Sequence, residues 1–395
     1  RTRAEKMASM ARNGPLLALS VLLLLAAASA QAPSCGPPGQ TRKVSVMKFD
    51  MENPELSVTT SDIEFAAPGQ VLIHVRVRPV HPADAFSIKG VYPGFRPESL
   101  PATPGLEGMG VIAQLGKGTK ELCPDLKPGM RVVPDWMTPT TPRSWQDYVA
   151  VNCSHVVKVP EGVSDISASQ LLVNPMTVMG MLETIVPVDP EDKSTVYVLQ
   201  SAGGSTLGKM LIQLANHLGY QTISTVRRCE QAEELKKLGA KHVICTATEN
   251  IGERVINITN GMGAWGAVDA VGGEMTSLLQ DSVKANGKVL IYGALAGLSF
   301  RGSVVSTLFR YVPVEGFWLQ LWWLSLSDEQ RKQRMEGVLA FMAAKVLTPH
   351  SGKMFNMDDV ETAIKDEARP GRSTDGKTFL VTSAKCIMKG IKEEL

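Results

Sequence analysis

From Lys43 to about Val159 the chain is a series of short apolar runs rich in β-branched residues. "LSVTTSDI", "QVLIHVRVRPV", "GVIAQLG", "RVVPDW" and "DYVAV" are punctuated by Gly and Pro. Such runs predict strands joined by turns, hence a compact and mostly β unit. After "VKVPEGVSDISASQLLVNPMTVMGMLETI" the texture changes. "TVYVLQ", a helical pattern from Leu207 to Leu218, "TISTV", a second helical pattern from Glu230 to Leu238, and "HVICT" follow one another, and then "GAVDAVGG", the helical "MTSLLQDSVKA" and the strand "KVLIYGAL". Strands separated by helices of roughly 10 to 15 residues predict right-handed βαβ units around a parallel sheet. The fold class is therefore α/β, with a doubly wound second domain. Toward the end, "SDEQRKQRMEGVLAFMAAKVL" predicts an amphipathic helix capped by Ser327 with an acidic first turn, followed by "MDDVETAIKDEA" and a strand-like "KTFLVTS". No internal repeat at solenoid periods is visible.

Bulk composition adds limits. A chain of 395 residues, 44% hydrophobic and 20% charged, has room for two ordinary cores. A net charge of +2, with both signs spread along the chain, leaves no electrostatic footprint for nucleic acid. Composition departs from the ordinary at the start, where "MASMARNGPLLALSVLLLLAAASA" (7–30) has a weakly basic head, an apolar core and an A-x-A site. This is the outline of a cleavable secretory signal, and no membrane span is expected once it is removed. An uncleaved anchor and a mitochondrial presequence are the rivals, although Arg12 is the sole arginine between Met7 and Ala30. Residues 31–42, Pro/Gly-rich and acid-free, read as a linker or the start of a second, organelle-directed element. The six cysteines form no CxxC pair, and Cys153 with His155 and His242 with Cys245 are isolated pairs, so no metal site is expected. Disulfides stay open as an alternative.

The stretch from Gly203 to Lys209, "GGSTLGK", fits the GxxxxGK of a nucleotide-hydrolase P-loop and lies between a strand and a helix. Met210 follows, where that loop needs a hydroxyl for Mg²⁺, and a thioether is a poor ligand for so hard a cation. A dinucleotide turn needs instead small residues that let the backbone approach a pyrophosphate at a helix N-terminus. Ala202, Ser205 and Gly208 supply it as A-x-x-S-x-x-G, with Thr206 and Leu207 in the first turn; a tight turn that merely packs helix on strand is the plainer alternative. About 20 residues on, an NAD fold places an acid against the ribose hydroxyl and an NADP fold places arginine against the phosphate. Arg227 and Arg228 stand there, and guanidinium matches a phosphate dianion, so NADPH is the expected cofactor.

Several motifs together resemble the medium-chain dehydrogenase/reductase superfamily from Lys43 to Ser383. "HPADAFSIKGVYPG" is similar to its N-P-x-D…G-x-Y segment with His81 for Asn, "TPGLEGMGVI" to its P-G-x-E-x-x-G-x-V signature, and "RSWQDYVAV" to its G-x-W-x-x-Y strand. The resemblance implies a GroES-like β-rich catalytic domain (43–165 and 326–395) and a Rossmann NADPH-binding domain (166–325), with the active site between them. The family's zinc-dependent members carry a His between the Gly and Glu of the signature; Leu106 stands there, which implies the zinc-free branch.

Within that branch, "LLVNPMTVMGML", "QSAGGSTLGKMLIQLA", "STVRR" and "VEGFWLQLW" resemble mitochondrial-type trans-2-enoyl thioester reductases. The resemblance implies reduction of an enoyl-CoA or enoyl-acyl-carrier-protein, the last step of fatty-acid elongation, by a homodimer. It makes Tyr92 the catalytic residue and puts Asn174 at the nicotinamide end. Tyr292, Gly293, Ala294, Leu295, Phe317, Trp318 and Leu319 would flank the nicotinamide and the acyl channel, and Lys377 would be a late cofactor contact. Two positions depart from that family: its Arg-x-Arg is here Arg227-Arg228-Cys229, and the loop "DEARPGRSTDGK" before Lys377 is rearranged. A quinone or general enal reductase, and a non-catalytic NADPH-binding protein, are the alternative functions. The mitochondrion is the alternative destination.

Overall fold

In the computed structural model, residues 39–186, 190–369 and 376–382 are described. The expected signal (7–30), most of the expected linker and Arg372 of the late loop lie outside the described residues, whereas its other extra arginine, Arg369, caps the last helix beside Asp366. Among the described residues no helix is long and apolar enough to cross a membrane.

The N-terminal strands are β1 (Gln40–Lys48), β2 (Glu55–Asp62), β3 (Gln70–Pro79), β4 (Met109–Leu115), β5 (Arg131–Pro134), β6 (Tyr148–Asn152) and β7 (Val156–Lys158). β1 and β2 form an antiparallel pair. The others join two late strands, β14 (Met354–Asn356) and β15 (Phe379–Val381), in one sheet ordered β14-β15-β3-β4-β5-β7, with β6 also on β3. β1 corrects the expected linker, because Thr41 and Arg42 are buried strand residues. Arg42 bonds Asp147 at 2.8 Å and Asp358 at 3.1 Å, a pairing that composition alone does not foretell.

The middle of the chain builds a second sheet from β8 (Tyr197–Gln200), β9 (Gln221–Val226), β10 (His242–Cys245), β11 (Ala264–Asp269), β12 (Val283–Ile291) and β13 (Val314–Gly316). All its pairings are parallel, and the order is β10-β9-β8-β11-β12-β13. The chain runs outward from β8 to β10, then returns to lay β11 on the other side of β8. That reversal opens a crevice at the C-terminal ends of β8 and β11, where a doubly wound sheet binds its ligand.

Helices join the strands where their patterns predicted. After α1 (Pro82–Ile88), the crossover helix α2 (Val173–Ile185) leads into this sheet, and α3 (Thr206–His217) follows the glycine loop. α4 (Ala232–Lys237) is preceded by a short 3₁₀ turn at Cys229–Gln231. The helix expected over "MTSLLQDSVKA" stops earlier: α5 (Glu274–Ser282) gives way to β12 at Val283, whose β-branched side chain is buried in the sheet core. β12 ends at Ile291, so "YGAL" is loop at the crevice. α6 (Leu319–Leu324) follows β13. In α7 (Asp328–Ala343) Ser327 accepts from the Gln330 amide, and Met335, Val338, Leu339 and Met342 form the buried stripe.

Candidate active site

The glycine loop is shaped by close approach. Ala202 has φ +50°, and a Cβ on Gly208 would come within 2.7 Å of the Gly203 carbonyl oxygen, so only glycine lets α3 start so near the loop. Ser205 caps α3 by accepting from the Gly208 amide at 3.0 Å, and its carbonyl accepts from Lys209. The Thr206 and Leu207 amides have no acceptor among the described residues. Two free N–H groups at the positive end of a helix suit a pyrophosphate. Lys209 turns away: its ammonium is buried against Glu234 at 2.5 Å, which removes the group a P-loop would aim at phosphate.

Arg227 and Arg228 follow β9, one strand from the glycine loop; Arg227 is exposed and Arg228 half-buried. The next residue, Cys229, is bonded to Cys245 at the end of β10. Cys123 and Cys153 form a second disulfide in the other domain. Cys153 and Cys245, whose neighbours His155 and His242 raised the question of metal, thus spend their sulfurs on covalent bonds. Two buried polar side chains that the motifs did not single out brace the crevice. Gln200 donates to the Gly208 carbonyl at 3.1 Å and to Ser224 at 2.9 Å. Asp269 accepts from Ser201, from Thr276 and from the Val271 amide at 2.7 to 2.8 Å, fixing the turn beyond β11. A buried polar residue at a strand's C-terminal end in a doubly wound pattern was the available signal for both.

Beyond β12, the Tyr292 amide bonds the Asp269 carbonyl at 2.9 Å and Gly293 packs so closely that a Cβ would meet the Ala270 oxygen at 2.8 Å. Burial, with Asp269 nearby, pushes the Tyr292 phenol above its ordinary range. Ala294 and Leu295 are exposed. Phe317 follows β13, and Gly180 on α2 leaves room for it: a Cβ there would fall within 2.6 Å of the Phe317 ring and 2.7 Å of Trp322. Asn174, nearly buried, is on the first turn of the same helix. Leu319 is buried at the start of α6. Trp323 is core, its indole donating to Asp135 at 2.9 Å.

Tyr92 comes from the first domain and meets the second directly. The Trp318 indole N–H donates to its hydroxyl oxygen at 3.1 Å, with the rings edge to face at 6.1 Å. Burial raises the Tyr92 pKa and the Trp318 bond opposes that rise. The phenol is therefore protonated at neutral pH and, with one lone pair occupied by the indole, keeps its own proton to donate.

At the N-terminus of α1 is a buried charge cluster. His81 bonds Glu107 through Nε2 at 2.6 Å and Lys377 through Nδ1 at 3.1 Å. Burial and the Lys377 charge lower the His81 pKa, so the ring is neutral, with Nδ1 accepting from the ammonium and Nε2–H donating to the carboxylate. Glu107 also accepts from the Leu172 and Val173 amides at 2.9 and 3.0 Å, capping α2 from the other domain. Lys377, which the resemblance makes a cofactor contact, points its ammonium into this cluster, 3.6 Å from Glu367. Leu106, at the zinc ligand's position, is a buried apolar side chain.

Asp84, wholly buried, accepts from the His81 amide at 2.8 Å through one oxygen. Desolvation, partly offset by that amide and by Lys377, pushes its carboxyl up to about 7. A carboxyl that ionises near 7 when folded and near 3.8 when unfolded stabilises the fold while protonated, and that contribution disappears as pH rises through this interval. Asp84→Asn cannot ionise. Its melting temperature relative to the parent protein should climb between about pH 4 and pH 7 and level off above, whereas a constant difference would show that Asp84 titrates normally.

Comparisons with known proteins agree with this architecture. The alcohol dehydrogenase GroES-like domain family matches residues 67–161, and the zinc-binding dehydrogenase family matches residues 206–343. The mitochondrial enoyl-[acyl-carrier-protein] reductase of Arabidopsis thaliana is 31% identical over 279 residues, 69% of this chain and 70% of that protein. A Bacillus thuringiensis structure described as an NADPH:quinone reductase matches with a TM-score of 0.77 and 28% identity over 87% of this chain and 99% of its own. The Etr1p/NADP/crotonyl-CoA complex shares the fold at a TM-score of 0.73 and 22% identity over 87% of this chain and 100% of its own. With a GroES-like domain joined to a Rossmann-like one and relatives of this kind, the chain belongs to the medium-chain dehydrogenase/reductase family, as a member of the mitochondrial enoyl reductase type.

Proposed function

We propose that the protein is an NADPH-dependent reductase of trans-2-enoyl thioesters, carried by enoyl-CoA or enoyl-acyl-carrier-protein, with its site between a catalytic domain (43–165 and 326–395) and an NADPH-binding domain (166–325). The observation that carries this reading is the Tyr92–Trp318 pair, a protonated phenol delivered by one domain and oriented by the other. The cofactor fits the residues present. The Thr206 and Leu207 amides would hold the pyrophosphate, Arg227 and Arg228 the 2′-phosphate, and Asn174 with Tyr292 and Phe317 the nicotinamide end. Bound there, NADPH supplies the hydride that adds to the β carbon of the enoyl group.

The chain's own residues do the rest. As the β carbon is reduced, charge moves to the thioester oxygen. The Tyr92 hydroxyl, free to donate because the Trp318 indole already occupies its oxygen, hydrogen-bonds that oxygen and stabilises the enolate. The apolar Leu106, in place of a metal ligand, leaves this task to a hydrogen-bond donor. Phe317, Trp322 and Gly180 pack into one wall of the proposed acyl channel, which suits an apolar chain.

The second reading, a quinone reductase, is supported by the Bacillus thuringiensis structure. A substrate panel separates the two. A trans-2-enoyl thioester should drive NADPH oxidation far faster than a quinone does, and Tyr92→Phe should cut turnover on it about a hundredfold while NADPH affinity stays within about twofold. Faster quinone turnover, or a fully active Tyr92→Phe variant, would contradict the proposal. NADPH binding with no oxidation across the panel would indicate a non-catalytic binding protein.

We also propose that the protein is a homodimer formed at β13. That strand is the edge of its sheet, and the neighbouring segment exposes Leu298, Val304, Leu308 and Phe309, the last 72% accessible. An open edge beside such an apolar patch suits a two-fold pairing with a second copy, which would continue the sheet and cover the patch. Light scattering should give the mass of two chains, and Phe309→Asp combined with Leu308→Asp the mass of one; a monomeric parent protein would overturn this.

A further inference from the structure

The third position of the expected arginine motif is Cys229, and the structure shows what replaces its charge. Cys229 is exposed, begins the 3₁₀ turn directly after Arg228, and is bonded to the buried Cys245, with the two Cα atoms 5.2 Å apart. Cys245 pairs in register with Val226, the last residue of β9, so the bond staples the arginine turn to the neighbouring strand. The Cys245 sulfur lies 4.0 Å from the Arg227 carbonyl oxygen. On its other side the turn reaches the glycine loop. The Arg228 carbonyl accepts from the Gln231 amide at 3.2 Å, and the Gln231 side chain lies so close beneath Gly204 that a Cβ there would meet it at 2.5 Å. The disulfide, the two arginines and the glycine loop thus form one continuous stretch of contact.

We propose that the Cys229–Cys245 disulfide is a redox-controlled determinant of cofactor specificity: closed, it holds Arg227 and Arg228 where they receive the 2′-phosphate; opened, it releases them and NADPH loses its advantage over NADH. The proposal rests on the NADPH reading given above. Its physical basis is preorganisation. Holding two long side chains on a covalently fixed turn removes ordering entropy that binding would otherwise have to overcome, and only the ligand bearing the extra phosphate benefits.

Opening requires a dithiol reductant. A dithiol thiolate attacks the exposed Cys229 sulfur and forms a mixed disulfide, while Cys245 leaves as a thiolate and takes up a proton. The dithiol's second sulfur then displaces Cys229, which also ends as a thiol. Two electrons pass to the protein, and the reductant becomes a disulfide. The other disulfide among the described residues, Cys123–Cys153, ties a loop to a 3₁₀ turn of the first domain and serves as an internal control.

The test is direct titration of the full protein with NADPH and with NADH, before and after dithiothreitol, with thiol alkylation and mass spectrometry reporting which disulfide has opened. Oxidised protein should favour NADPH. Reduction should weaken NADPH binding about tenfold and leave NADH within about twofold. Cys229→Ser, an exposed and near-isosteric change, should show the reduced protein's constants in either condition, and Cys123→Ser combined with Cys153→Ser should retain the full response. Equal NADPH affinity with the Cys229–Cys245 bond open and closed would overturn the proposal while leaving the cofactor reading intact. An oxidised protein with no preference for NADPH would remove both.

Discussion

Glu107 is a carboxylate withdrawn from water and then shared among three donors. One oxygen takes the His81 ring N–H, and the other takes the Leu172 and Val173 amides at the start of the crossover helix. A carboxyl side chain this deeply buried is tolerable because three N–H donors, two of them at a helix N-terminus, point at its oxygens. Leu172, at the N-cap, has no side chain to cap its own helix, so the cap has to come from the other domain. Whatever holds Glu107 therefore also sets the position of Asn174 and of the aromatic wall against Gly180. The side holding Glu107 comprises α1, Lys377 and the loop leading to Tyr92. Glu107 thus helps to register the two halves of the candidate site, beside the Tyr92–Trp318 and Asp135–Trp323 hydrogen bonds.

The surrounding residues make sense around that bridge. Gly105, with φ +112°, has no room for a Cβ beside Trp145, and Gly108 packs on the Val77 carbonyl and accepts from the Trp136 indole at 2.7 Å. The glycines of the signature thus fold the loop tightly enough to carry Glu107 into the interior. Leu106 between them is apolar, and under the proposed function the polarising work that a metal does in zinc-dependent enzymes would fall to the phenol of Tyr92. Its orientation depends in turn on Trp318, which arrives from the far side of the second sheet.

Features governed by neighbours in sequence were legible in advance. The strands "QVLIHVRVRPV" and "KVLI", the Ser327 cap and the tight small-residue turn between β8 and α3 all follow from local pattern. Lys209 agrees with what Met210 indicated: its ammonium is paired with Glu234 and not presented to the loop. Other features depend on which segments meet in space. Arg42 reads as linker until Asp147 and Asp358 are placed beside it. Cys229 and Cys245, 16 residues apart with no motif between them, pair because β9 and β10 are neighbours in the sheet. Lys377 has the sequence position of a cofactor contact, yet its ammonium is directed to His81 by a buried histidine that local propensity does not foresee.

The bridge is open to direct measurement. Glu107→Gln keeps the size of the side chain but offers one acceptor and one donor group where the site needs two acceptors, so either His81 or the crossover-helix amides lose their partner. In single-turnover stopped flow with saturating NADPH and a trans-2-enoyl thioester, the variant should transfer hydride at least about tenfold more slowly, with NADPH affinity within about threefold of the parent. An unchanged single-turnover rate in a folded variant would contradict the account, because it would mean that the two halves of the site keep their register without Glu107.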